Sequence, residues 1–154
     1  MNELYTSMIL EQSRNPANRR TIDSGSVNEY GHNPSCGDEI TLYLKVSEGI
    51  VEDMSYDGNG CAISQASTSM MIDLLRGKSL DDVKRLSELF LQMARGEITE
   101  EEALEPLEDT AIFETVKNLP ARVKCATLPW HTVRTMIEKG EKEGAFHSPH
   151  TCGL

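Results

Sequence analysis

Long apolar runs are missing from this sequence. No stretch approaches the roughly 18 consecutive apolar residues of a membrane span. The opening, "MNELYTSMILEQSRNPANRR", lacks the apolar core of a secretion signal. No membrane partner is expected, and the expected location is cytoplasmic. Positive charge is scarce too: 15 Lys and Arg stand against 25 Asp and Glu, for a net charge of −10. Such a surface repels nucleic-acid phosphates and anionic lipid, so neither is an expected partner. It suits a basic patch on another protein. Aromatic residues make up only 5% of the chain, and there are only four cysteines. In a reducing compartment so few thiols argue for metal or sulfur chemistry rather than disulfides.

What is present is a globular balance, with 38% hydrophobic and 26% charged residues in 154. That length suits one domain with a real core. Leu4 and Met8, with Tyr5 and Ile9, recur at helical spacing over residues 3–13. "RNPANRRTID" reads as a loop, Ser24 to Tyr30 as a short strand, and "GHNPSCGD" as a second loop. Ile40, Leu42, Leu44 and Val46 then alternate with Thr41, Tyr43 and Lys45, which is the period of a half-buried strand. "SEG" makes a hairpin turn and "IVEDMSYDG" the returning strand.

From Cys61 the period becomes helical. Ile63, Ala66, Met70 and Leu74 share a face, and Gly77 ends the run. Ser79 with Asp82 predicts a capped helix carrying Val83, Leu86, Phe90 and Met93, and Thr99 with Glu102 predicts another cap. A last helix is expected to start near Cys125, with Pro129 in its first turn and Trp130, Val133 and Ile137 on its apolar face. The sum is an α+β fold: a small antiparallel sheet of about three strands with helices packed against it. Residues 1–140 form one domain, within which 78–109 reads as an acidic helical insertion. Residues 141–154 read as a flexible tail containing His147, His150 and Cys152, which resemble a metal-binding tail.

Three cysteines stand at element ends. Cys36 and Asp38 flank Gly37 at the mouth of a strand, with their side chains expected on the same side. Cys61 lies where strand gives way to helix, and Cys125 at or just before a helix start. A helix N-terminus favours thiolate over thiol. Three thiolates and a carboxylate are four ligands, the number a tetrahedral Zn²⁺ takes. Arg122 and Lys124 stand beside Cys125 as supporting positive charge for that anionic set. Spacing alone leaves inert core thiols open as well. The separations are 25 residues from Cys36 to Cys61 and 64 from Cys61 to Cys125, without the usual CxxC pairs. His32 is a further candidate for lining such a site. His131 reads as a helix-surface residue.

"NPSCGDEI", "GNGCAISQASTSMM" and "RVKCATLPWHTV", in that order, resemble the three cysteine motifs of iron–sulfur cluster assembly proteins of the IscU/NifU N-terminal type. The closest branch resemblance is to SufU-like proteins, and it spans most of residues 1–140. The resemblance implies a small antiparallel sheet covered by helices, and metal ligands at Cys36, Asp38, Cys61 and Cys125. It implies zinc at the site and a pyridoxal-phosphate cysteine desulfurase as sulfur donor. Cys36, whose loop lets it move, is then the expected sulfur acceptor, which would make the protein a zinc-dependent sulfurtransferase. Downstream cluster assembly or acceptor proteins would be further partners. The alternatives are a scaffold holding iron as a transient [2Fe–2S] cluster and a non-catalytic zinc-stabilised interaction module. Three departures from the scaffold branch stand out: Lys124 where that branch has His, "LPARVK" where it has Leu-Pro-Pro-Val-Lys, and the extra acidic helical segment between the second and third cysteines, which resembles the SufU-like branch.

Overall fold

The computed structural model describes residues 3–22, 26–34 and 37–144. The chain runs α1 (Glu3–Arg14), β1 (Val27–Asn33), β2 (Asp38–Ser47), β3 (Ile50–Asn59), α2 (Ala62–Leu75), α3 (Leu80–Ala94), α4 (Glu101–Leu104), an irregular 3-10 stretch (Glu105–Asn118) and α5 (Pro120–Lys142). The strands form one antiparallel sheet in the order β1-β2-β3, so the expected α+β class is the class observed.

Alternation decides the sheet. Ile40, Leu42 and Leu44 point into the core, where Leu42 lies opposite Tyr56 and Leu44 opposite Met54. Glu48 and Gly49 both take positive φ, at 52° and 77°. That is the mirror-image turn whose twist matches a hairpin. The outer edge of β3 is covered: Tyr56 N–H donates to the Asn18 carbonyl at 2.9 Å, and Arg20 N–H donates to the Tyr56 carbonyl at 3.0 Å.

The helices bury the inner face of the sheet. α2 is buried almost all round, packed among α1, α5 and β3. Trp130 of α5 is fully buried, stacks on Phe90 of α3 with centroids 4.1 Å apart, and donates from Nε1 to Ser67 Oγ at 3.0 Å. The acidic segment therefore contributes Val83, Leu86, Phe90 and Met93 to the same core as the sheet.

Three local expectations are corrected. β1 extends through His32 and Asn33, because pairing with β2 out to Asp38 satisfies backbone that the sequence assigned to a loop. Thr99 does not cap α4; Glu100 occupies that position without a side-chain hydrogen bond. The proline in the first turn of α5 is Pro120, and Pro129 lies inside the helix, buried against the core. Ser79 does cap α3, accepting from Asp82 N–H at 3.1 Å. Of the expected tail, 141–142 belong to α5, and His147, His150 and Cys152 lie outside the described residues. No helix among the described residues is long and apolar enough to cross a membrane.

Candidate metal centre

Three elements deliver one side chain each to a common point. Asp38 is the first residue of β2, Cys61 caps the N-terminus of α2, and Cys125 sits in the second turn of α5. A ligand atom from each lies within 4.8 Å of the other two. Asp38 is 1% exposed and Cys125 2%, and Cys61 is half-buried.

The local geometry follows from the chain. Gly37, directly before the first residue of β2, takes φ +74° and donates its N–H to the Asn33 carbonyl at 2.9 Å. Gly37 itself is thus not in the extended conformation the sequence implied. Asp38 Oδ1 accepts from the Cys61 N–H at 2.8 Å, and the Cys61 thiol faces Asp38 Oδ2 at 3.7 Å. Cys61 Sγ in turn accepts from the Ser64 N–H at 3.4 Å, as a serine oxygen would at an N-cap. Cys61 therefore does meet helix-terminal N–H groups, as expected. Cys125 does not: its thiol donates to the Ala121 carbonyl one turn back, at 3.6 Å. Gln65 Nε2 holds the Gly60 carbonyl at 2.7 Å and fixes the approach to Cys61.

Among the described residues, not every predicted one joins this group. Cys36 lies outside the described residues. Arg122 and Lys124 are exposed on α5, with no ion pair among the described residues. His32 pairs with Glu39 on the face of the sheet opposite Asp38, exposed and stacked against Tyr30. His131 is exposed on α5. Gly60 also borders the site. A Cβ there would stand 2.9 Å from Asp38 Oδ1, so the glycine makes room for the carboxylate.

These residues fit a divalent cation. Two thiols and a carboxylate cannot all ionise when buried unless a positive charge joins them. Sulfur and oxygen donors together suit zinc, and thiolates suit iron–sulfur centres. A tetrahedral zinc with bonds of about 2.0–2.3 Å sets its ligand atoms about 3.3–3.8 Å apart. The Asp38–Cys61 separation of 3.7 Å is already of that size.

Comparison with known proteins shows the family. Residues 4–126 match the family model described as the NifU-like N-terminal domain. An iron–sulfur cluster assembly scaffold protein IscU from Thermotoga maritima is 40% identical over 88% of this chain and 94% of its own length. The zinc-dependent sulfurtransferase SufU of Bacillus subtilis is 35% identical over 92% of this chain and 94% of its own. A solved structure from Fervidobacterium islandicum, described as a candidate cluster assembly scaffold for the SUF system, superposes with a TM-score of 0.78 at 35% identity. It covers 89% of this chain and 96% of its own. A buried carboxylate and two cysteines gathered from three elements, together with these matches, place the chain in the NifU-like N-terminal domain family, among its IscU and SufU relatives.

Proposed function

We propose that this protein is a zinc-binding sulfur-transfer partner in iron–sulfur cluster assembly, working in the cytoplasm and fed by a pyridoxal-phosphate cysteine desulfurase. The observation that carries the reading is the convergence of Asp38, Cys61 and Cys125 within 4.8 Å. Cys36, two residues before Asp38, is the fourth ligand in this reading. Bound zinc supplies a positive charge that keeps the thiols as thiolates. Asp38, Cys61 and Cys125 remain as the fixed part of the site, held by β2, α2 and α5.

Cys36 is the acceptor. Its thiolate attacks the outer sulfur of the desulfurase persulfide. The persulfide S–S bond breaks, a new S–S bond forms on Cys36, and the electron pair leaves on the desulfurase cysteine. Arg122 and Lys124, exposed beside Cys125, stabilise the anionic sulfur during this exchange.

Metal analysis of the purified protein, paired with labelled-sulfur uptake from a desulfurase, tests the reading. Wild-type protein is expected to hold one zinc and accept sulfur, and Cys61→Ser to lose both. Full uptake by a zinc-free Cys61→Ser protein would remove zinc from the mechanism. The 40% identity to a protein named as a cluster scaffold supports a second reading, in which the same thiolates hold a transient [2Fe–2S] unit. Visible absorbance after anaerobic reconstitution, followed by complete transfer to an apo-acceptor, would select it.

A further inference from the structure

The side chain of Ser64 is fully buried, and its Oγ has no hydrogen-bond partner among the described residues. A buried hydroxyl in that state is costly, and a native fold keeps one only for a reason. Its location supplies the reason. Ser64 is in the first turn of α2, and its backbone N–H already donates to Cys61 Sγ. A Cβ placed on Gly60 would lie 3.0 Å from Ser64 Oγ and 2.9 Å from Asp38 Oδ1, so both oxygens border the same small gap. Asp38 Oδ1 faces this gap and the Cys61 N–H, while Oδ2 faces the Cys61 sulfur.

We propose that Ser64 is a positioning residue of the metal centre, whose hydroxyl donates to Asp38 Oδ1 when Oδ2 binds the cation. The inference rests on the metal-centre reading above. Carboxylate ligands are themselves held by hydrogen bonds, and losing such a bond weakens metal binding about 10–100-fold. With Oδ1 taken by two donors, Cys61 N–H and Ser64 O–H, the carboxylate is restricted to binding through Oδ2 alone. The hydroxyl, without a partner among the described residues, then gains one in the loaded protein.

This predicts effects of opposite sign from one substitution. Ser64→Ala keeps the backbone N–H on Cys61 and removes only the hydroxyl. The metal-free variant should melt about 2–4 °C higher than metal-free wild type, because an unpartnered buried group is gone. Its zinc affinity, read by competition with a chromophoric chelator, should fall about tenfold or more. Loaded with Co²⁺, the variant should show visible bands shifted from wild type, since the carboxylate is no longer confined. Unchanged or tighter zinc affinity with unchanged cobalt bands would overturn the proposal while leaving the metal centre intact. If wild-type protein itself took up no zinc, the metal-centre reading would fall and this role with it. A lower melting temperature together with weaker zinc binding would mark Ser64 as ordinary packing and also overturn the proposal.

Discussion

The two ends of α2 handle buried polarity in opposite ways. At the C-terminal end Arg76 donates to Asn18 Oδ1 at 2.8 Å and to the Met54 carbonyl at 3.0 Å, and its Nε lies 3.4 Å from Asp53. Asn18 passes its own N–H groups to Ser69 and to Asp73 at 2.9 Å, and Arg20 grips Asp53 with two bonds. Each carboxylate there meets a guanidinium of the same chain. At the N-terminal end Asp38 is met by a backbone N–H and a thiol, with a second cysteine beside it. The first network is complete within the fold. The second, on the reading proposed here, is completed by a cation. On that reading, stability and chemistry lie at opposite ends of one helix, linked by its fully buried middle.

The sharpest way to break this contrast is to damage the completed end. Asn18 is 2% exposed, and Asn18→Ala would strip partners from Ser69, Asp73 and Arg76 together. We expect a loss of about 3 kcal/mol in urea unfolding, with zinc content of the folded protein unchanged. Zinc lost in parallel would show that the two ends are one mechanical unit. A smaller effect is expected at the other end. Gly60→Ala would press a methyl group against Asp38 Oδ1, at a cost of about 1–2 kcal/mol in stability. Its larger signature is a zinc affinity about tenfold weaker, measured by chelator competition. A stability loss larger than that of Asn18→Ala with normal zinc affinity would reverse the assignment of the two ends.

Much of this was legible because it is local. Period-two alternation in Ile40–Val46 and the Glu48–Gly49 turn are written in neighbouring residues, so β2, β3 and their inner face follow directly. Spacing offered the gathering of Asp38, Cys61 and Cys125 only beside inert core thiols, and the motif resemblance implied it; the structure brings these three together. Cys125 shows the limit. Two prolines bracket it, and sequence rules place either one in a first turn. Packing of α5 on α2, α3 and β1 chose Pro120, and so put Cys125 inside the helix with its thiol turned to Ala121. Gly60 and Ser64 were illegible as site residues, because the gap they border is closed by Asp38, 22 residues before Gly60 and 26 before Ser64. The exposed position of His32, opposite Glu39, needed the β1–β2 register to be seen.

The smallest effect separates the two ends by acid. The Asp53 carboxyl is held below its ordinary 3.8, first by the Arg20 hydrogen bond and then by the Met54 N–H and the Arg20 and Arg76 charges, against an opposing contribution from partial burial. Its pKa is lower folded than unfolded, so the unfolded chain binds the extra proton as pH falls. The contribution is therefore present above 3.8 and is lost as pH drops through the folded value. Asp53 is partly exposed, so the gain at neutral pH should be only about 0.5 kcal/mol. Paired urea titrations of metal-free wild type and Asp53→Asn, taken from about pH 6 to about pH 3, should show this gap closing in acid. Using metal-free protein keeps the thiolate site, which also protonates on acidification when loaded, out of the measurement. A gap that stayed constant through this range would mean that the Arg20–Asp53 pair is a packing contact rather than a charge pair, and that the C-terminal end of α2 is held by Asn18 and the Met54 carbonyl instead.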